Sequence, residues 1–474
     1  MHIGFLNPQG NFDPADSYLT EHPDFGGQLV YVKETAMALA DMGHKIDIIT
    51  RRIRDDAWPE FATDKDTYPG YEDRIRILRF PCGGDVFLGK EHLWPHLPEF
   101  VENMLEFYVG YDKVPDFFTA HYGDGGYCAV LAQAKTGVGF TFTGHSLGAQ
   151  KLDKLGTTLE NMEMMQDRYA FGQRIAAERM SMRRAHRIIT STEQERYEQY
   201  SHPLYSGAVD VNAPNTFRVQ SPGVNTRVFS ARSQEDDEVF RAKLNGRLAP
   251  DGTPYVLVSS RLDEKKNIIG LVKAFSQSET LRKKANLAIC VRGIDDPFTQ
   301  IAQLPTAERA VLRPILDLLE EGRLKDQTTF LNLGSQLELA AAYRILAARG
   351  SVFALTAFYE PFGLAPIEAA ACGLAPVVTK NGGPSDIFKF GTGVLVDPFD
   401  PEDIAAGLIK GIDEHRSIAN AAHEMVFQMY TWHQTATGYM EAIQSSPRPG
   451  NDLLRPDAGE LIRFYLENKD KDGA

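Results

Sequence analysis

Long apolar runs are missing from this chain. No stretch of about 18 residues is free enough of charge to cross a bilayer, and the amino terminus lacks a basic segment followed by an apolar one. A membrane span and a secretory leader are therefore not expected, and a cytoplasmic protein is. Cysteine is scarce: the four residues are Cys82, Cys128, Cys290 and Cys372. They stand far apart in no metal-ligand spacing, which excludes a disulfide framework and a zinc site and leaves reduced, buried thiols as the expectation. Positive charge is also short, with 50 lysines and arginines against 64 aspartates and glutamates and a net charge of −14. That balance argues against nucleic acid as a partner, although local cation clusters still admit an anionic small molecule. The Asp-x-Asp spacings, Asp64/Asp66 and Asp470/Asp472, fall in polar loop or tail segments away from any strand end, so no metal is expected.

What is present is an alternation. Apolar runs at 2–7, 45–50, 74–80, 116–122, 139–145 and 187–190 are separated by helix-length segments. A second set follows at 255–260, 286–293, 328–333, 351–356, 375–380 and 393–397. Strands spaced this way require right-handed helical crossovers and a parallel sheet. A chain of 474 residues exceeds one core. The expectation is an α/β protein of two Rossmann-like, doubly wound domains facing across a cleft. The join lies near Ser221–Phe229, giving domains 1–221 and 222–429, with the segment 430–474 returning to the first. The tail Lys469–Gly473 is expected to fray.

The chemistry gathers at strand ends. The stretch from Thr356 to Gly373 places Glu360 and Glu368 around a turn marked by Pro361 and Gly363. Pro366 falls in the first turn of the following helix, where its missing N–H costs little. Two carboxylates beside a helix N-terminus at a strand's carboxyl end suit a hydroxyl-rich, anionic ligand. Standing alone, such a pair reads more readily as two solvated acids on an amphipathic helix. Asp24-Phe-Gly-Gly-Gln28 lies between the first strand and a helix beginning near Leu29, and its paired glycines allow close backbone approach to an oxygen-rich ligand. Ser259–Asn267 puts Arg261 and Lys266 ahead of a helix, where two cations would neutralise a diphosphate leaving group. Asn381-Gly-Gly-Pro-Ser385 is a third glycine turn of this kind.

Gly144-His-Ser-Leu-Gly148 matches the nucleophile elbow of serine esterases letter for letter, with Ser146 as the nucleophile. No downstream histidine among His186, His202, His415, His423 and His433 stands in a late loop fit to serve it. Gln150-Lys-Leu-Asp-Lys154 is polar where the elbow's helix should be small. The alternative is a loop presenting His145, together with Lys151, to a substrate.

Taken together, Asp24–Gln28, Gly144–Gly148, Arg261 with Lys266, and Glu360 through Glu368 resemble the retaining glycosyltransferases of family 4, which have the GT-B fold. The likeness runs from residue 2 to about 443. Within that family, Asn7–Ser17, Gly27–Lys33, His121–Gly126 and Thr143–Lys151 are similar to the sucrose-phosphate synthase branch. The resemblance implies transfer of glucose from UDP-glucose to fructose 6-phosphate with retention, giving sucrose 6-phosphate and UDP, with no cofactor or metal. It implies that His145, Arg261, Lys266 and Glu360 are catalytic. Donor contacts would come from Gly27, Arg261, Lys266, Leu333, Glu360, Phe362, Gly363, Leu364 and Glu368, with Glu368 on the ribose, Glu360 on the transferred sugar, and His145 near its 6-hydroxyl. Acceptor contacts would come from Gly26, Gln28, Lys90, Tyr122, Lys151 and Arg174, with Lys90, Lys151 and Arg174 on the phosphate. Plant relatives carry a phosphatase-like domain that this chain lacks, so a separate sucrose-phosphate phosphatase is the implied partner. Ser385-Asp386, Cys372 and Ala375 depart from the family's commoner Ala-Glu, Ser and Pro. A GDP-mannose donor or free fructose as acceptor, and more distantly a serine esterase, are the competing readings.

Overall fold

The computed structural model describes residues 1–17, 27–111, 113–244, 247–250, 252–446, 448 and 458–469. The chain divides into two compact units, Met1–Ser221 with Trp432–Ala474, and Pro222–Thr431. Each is built on its own sheet.

In the first unit the strands are β1 (His2–Leu6), β2 (Lys45–Arg51), β3 (Lys65–Asp66), β4 (Ile75–Phe80), β5 (Phe117–His121), β6 (Phe140–Thr143), β7 (Arg187–Thr190) and β8 (Phe217–Val219). Their order is β3-β4-β2-β1-β5-β6-β7-β8, parallel throughout except for β3, which runs antiparallel to β4. The strands are near-continuous apolar runs because helices cover both faces. The helix Gly27–Asp41 buries Leu29, Val32, Ala36 and Leu39 at helical spacing. Ala436, Met440 and Ile443 of the helix Trp432–Gln444 join the same cluster. Each buried Leu, Ile, Val or Met contributes about 1.5–3 kcal/mol, which is what brings the returning segment back onto this unit. The Tyr439 hydroxyl, 2.6 Å from Thr143 Oγ1, pins that helix to the end of β6.

The second unit carries β9 (Tyr255–Val258), β10 (Asn286–Cys290), β11 (Thr328–Leu331), β12 (Val352–Leu355), β13 (Ala375–Thr379) and β14 (Val394–Val396). The order β11-β10-β9-β12-β13-β14 is parallel throughout. Counted along the unit this is 3-2-1-4-5-6, the Rossmann order. The strand order reverses between β9 and β12 here, and between β1 and β5 in the first unit, and ligands of open α/β sheets bind at such reversals.

Four expectations need correction. The first sheet has eight strands among the described residues rather than six, because β3 and β8 are too short to show periodicity. Asp66 is not in a loop: it lies in β3 and pairs with Arg79 at 2.5 Å. The first helix starts at Gly27 rather than Leu29. Lys469 does not fray, since its ammonium lies 2.6 Å from Asp153 Oδ1, after a helix Gly459–Asn468 that buries Ile462; 470–473 lie outside the described residues. The four cysteines are free, with Cys82, Cys128 and Cys372 buried and Cys290 half-buried. Among the described residues no helix is long and apolar enough to cross a membrane.

Candidate active site

In the second unit the loops after β9 and β12 meet at the sheet's reversal point. Asn267, with φ 50°, caps the helix Ile268–Gln277 by accepting from Gly270 N–H. Its side-chain amide donates to the carbonyls of Thr356, 3.1 Å away, and Pro398, 2.8 Å away. One buried asparagine thus fastens the Arg261–Lys266 segment to the loop that carries Glu360. The result is an ion pair between two residues 94 apart in sequence, Lys266 Nζ to Glu360 Oε2 at 2.6 Å. Arg261 is exposed, and its guanidinium has no ion-pair partner among the described residues.

The backbone of Glu360 is held from the other side. Its N–H donates to Asn381 at 3.1 Å, and its carbonyl accepts from Gly383 at 2.9 Å. Gly382 sits at φ 100°, and a Cβ there would fall 2.1 Å from the Glu360 carbonyl oxygen. Only glycine fits both demands, which explains the first glycine of Asn381–Ser385.

Gly363, also at φ 100°, opens the helix Leu364–Ala371. Among the described residues Glu368, on that helix, has no hydrogen bond or ion pair to its carboxyl group, and desolvation pushes its pKa up to about 8. Phe362 packs its ring 6.3 Å from that of Tyr430. Leu364 is exposed, and Leu333, after β11, is partly buried in the same apolar cluster as Phe362. The structure therefore gathers Lys266 with Glu360, and Gly363, Leu364 and Glu368 on the adjoining helix.

In the first unit the loop after β6 carries the Gly144–Gly148 motif. His145 takes φ 56°, which turns its ring back toward the end of β5. Burial pushes its pKa down to about 3. Below this loop Arg174, nearly fully buried, donates from Nε to Glu178 Oε1 at 3.0 Å and from Nη2 to the Ser146 carbonyl at 2.6 Å. Burial opposes charge on Arg174, yet Glu178 and Tyr122 beside it raise its pKa above the usual value. Glu178 in turn accepts from the Gly148 N–H at 2.9 Å and from the Tyr205 hydroxyl. Ser146 Oγ has a weak contact from Arg174 at 3.4 Å and no histidine partner among the described residues, so the arrangement an esterase needs is not formed.

Arg174 also lines a small pocket with Lys90, Glu91, Trp94, Tyr122, Asp124 and Tyr169. Its guanidinium lies 4.5 Å from the Tyr122 ring centre. Lys151 reaches two of the lining side chains, 4.3 Å from the Tyr169 ring centre and 3.9 Å from Glu91 Oε1. Lys90, Lys151, Arg174 and Tyr122 are thus brought around one pocket. Gln28 stands apart from it, donating to Asn7 Oδ1 at 3.1 Å, and Gly27 is exposed at its helix start. Gly26 lies outside the described residues.

Asp124, Glu91, Trp94, Tyr169, Glu178 and Asn267 escape sequence reasoning as site residues. Asp124 is fully buried, its carboxyl accepts from Gly125 N–H at 2.7 Å, and burial pushes its pKa up to about 7. Its signal was available: a lone aspartate inside the apolar and glycine-rich segment His121–Gly126.

Comparison with known proteins bears on this geometry directly. Residues 26–201 match the family Glycosyl transferase 4-like domain, and residues 240–425 match Glycosyl transferases group 1. Over 445 residues the chain is 42% identical to a protein named probable sucrose-phosphate synthase from Thermosipho melanesiensis, covering 94% of this chain and 96% of the relative. The chain belongs to the sucrose-phosphate synthase family. It is a glycosyltransferase. The sucrose-phosphate synthase of spinach is 31% identical over the whole chain, and this chain spans about half the length of such plant relatives. Among solved structures, sucrose-phosphate synthase from Thermosynechococcus elongatus superposes with a TM-score of 0.65 at 25% identity, covering 93% of this chain and 97% of the other. HepE from Anabaena, solved in complex with UDP, matches with a TM-score of 0.61 at 16% identity, covering 94% of this chain and 100% of the other. The fold is GT-B, as the motifs implied.

Proposed function

We propose that this enzyme transfers glucose from UDP-glucose to fructose 6-phosphate with retention, releasing UDP and sucrose 6-phosphate. The observation that carries the reading is the gathering of cations in the first unit, where Lys90 and Arg174 line a small recess with Trp94, Tyr122 and Tyr169 and the carboxylates Glu91 and Asp124, and Lys151 lies against Tyr169 and Glu91. Cations over aromatic faces suit a phosphorylated sugar: the charges bind phosphate, the rings cover the carbon skeleton. In the second unit Arg261 and Lys266 are suited to the donor's diphosphate and Glu368 to ribose hydroxyls.

Glu360 is the carboxylate available near the transferred sugar, and Lys266 at 2.6 Å neutralises it. A carboxylate so paired is better suited to holding a hydroxyl than to attacking an anomeric carbon, so no glycosyl-enzyme step is assigned to it. The acceptor hydroxyl attacks on the face the diphosphate leaves, and a diphosphate oxygen takes its proton. Catalysis then rests on positioning and on stabilising the leaving charge. A separate phosphatase would consume the product.

The decisive experiment pairs UDP-, ADP- and GDP-glucose and GDP-mannose with fructose 6-phosphate and free fructose, reading nucleoside diphosphate release and product mass. UDP-glucose with fructose 6-phosphate should turn over fastest, giving sucrose 6-phosphate. Free fructose used equally well, or mannose preferred, would overturn the assignment.

Two expected outcomes belong with it. Lys151→Ala should raise the Michaelis constant for fructose 6-phosphate about tenfold or more, because a charge-assisted hydrogen bond contributes about 1.5–3 kcal/mol, while the donor constant stays nearly unchanged. Equal shifts in both constants would place Lys151 elsewhere. Excess EDTA should leave most activity intact, since Arg261 and Lys266 supply two cations for the diphosphate. Loss of activity that magnesium or manganese restores would refute this.

A further inference from the structure

Behind the loop after β6 lies a hydrogen-bonded chain of three side chains. Thr119 and His121 end β5, and both are fully buried. Parallel pairing sets His121 opposite Thr143 in β6; two residues on, the left-handed turn at His145 folds that ring onto His121. Thr119 Oγ1 lies 3.1 Å from His121 Nε2, and His121 Nδ1 lies 2.9 Å from His145 Nε2. The imidazoles stack at 5.2 Å with 26° between planes. Phe5 stacks on His121, 5.5 Å away at 5°, and Tyr31 meets His145 edge-on at 5.0 Å. Neither ring can turn without breaking this stack.

With both rings neutral, the proton order along the chain has two solutions, and the buried hydroxyl chooses between them. If His121 donated from Nε2 to Thr119, the hydroxyl hydrogen of Thr119 would be left without an acceptor, because His121 is its partner among the described residues. An orphaned buried donor costs about 1–3 kcal/mol. If Thr119 donates to Nε2, the two fully buried residues, Thr119 and His121, both have their donors satisfied, and the donor left over falls on His145, which is only half-buried. His121 then carries its proton on Nδ1 and gives it to His145 Nε2, so His145 carries its proton on Nδ1. That nitrogen has no partner among the described residues.

We infer that His121 is a positioning residue that holds His145 in the Nδ1–H tautomer, so that His145 offers an N–H donor to a sugar oxygen of the substrate and does not act as a base. Desolvation lowers the pKa of both rings, which keeps them neutral at ordinary pH. The assignment of a sugar oxygen rests on the proposed glucosyl transfer; the tautomer does not.

The test reads the tautomer first, in the unmodified enzyme without substrate. Two-bond ¹⁵N–¹H correlation on protein labelled at histidine should show His145 and His121 each with a protonated Nδ1 and an unprotonated Nε2, with signals assigned through His145→Gln. A protonated Nε2 on His145 overturns the inference whatever the enzyme's substrates prove to be. Activity gives the second reading. His121→Asn keeps a donor near the Nδ1 position and should retain the tautomer and a kcat within about threefold of the unmodified enzyme. His121→Phe fills the space without a donor and should lose the Nδ1–H pattern and about tenfold or more in kcat, the cost of one hydrogen bond, with the acceptor's Michaelis constant little changed. A folded His121→Phe variant with unaltered His145 signals and rate would equally overturn it. Should sucrose 6-phosphate not be the product while the Nδ1–H pattern is found, the proposed reaction fails and the tautomer stands.

Discussion

Lys266→Ala is expected to lower kcat by about two to three orders of magnitude, the loss of roughly 3–4 kcal/mol seen when one electrostatic donor is removed from a developing charge. Two effects combine. The leaving diphosphate loses a cation, and Glu360, mostly buried with Lys266 at 2.6 Å, loses its counter-charge. Lys266→Arg keeps the charge but changes its geometry, so it should recover part of the rate. The measurement is single-turnover transfer at saturating substrates, because steady-state kcat can be limited by product release. A fall below tenfold would mean that Arg261 alone carries the leaving charge. Glu360→Gln separates the two effects: it leaves the cation in place and removes the pairing, so its defect should be smaller than that of Lys266→Ala.

Much of this architecture is legible from residues alone, for a physical reason. Strands buried on both faces of a parallel sheet are largely apolar, so runs such as Val352–Leu355 and Ala375–Thr379 announce themselves. The elements that were missed lack that property. β3 is two polar residues, Lys65 and Asp66, held by backbone pairing to β4 and by the Asp66–Arg79 ion pair. β8 is Phe-Arg-Val, half-buried throughout. The helix Gly459–Asn468 follows a proline-bearing, charged stretch that masks the helical spacing of Leu461, Ile462, Tyr465 and Leu466; Tyr465 hydrogen-bonds Asp153 at 2.9 Å.

The site divides in the same way. Glycine turns and charged runs at strand ends are local signals, and they led to Lys266, Glu360 and Gly382. Partners distant in sequence carry no local signal. Asn267 fastens two loops through carbonyls at Thr356 and Pro398, and His121 meets His145 only through strand register. Neither contact follows from spacing. Glu178 was visible four residues after Arg174, an ordinary surface spacing on a helix. Nothing in the sequence says that both are buried.

That burial makes Arg174 the position where stability and binding are most entangled. Arg174→Met should destabilise the enzyme by about 3–5 kcal/mol, because it leaves Glu178 as a buried charge without its counter-ion. The same change frees the Ser146 carbonyl that Arg174 holds at 2.6 Å, loosening the loop that carries His145. Adding Glu178→Gln removes the orphaned charge and keeps an amide oxygen to accept from Gly148 N–H and the Tyr205 hydroxyl. The double variant should recover most of the lost stability in thermal unfolding, since the main cost of the single change is the uncompensated buried charge. It should not recover acceptor binding: the Michaelis constant for fructose 6-phosphate should stay about tenfold or more above that of the unmodified enzyme, as expected for a lost charge-assisted contact. A double variant with a normal constant would make Arg174 a scaffold residue and leave Lys90 and Lys151 to bind the phosphate. A stable Arg174→Met single variant would mean that Glu178 takes up a proton at little cost, in keeping with the direction in which burial already moves its pKa. The cost should then reappear as pH rises, because a buried carboxyl with a raised pKa is penalised only once it must ionise.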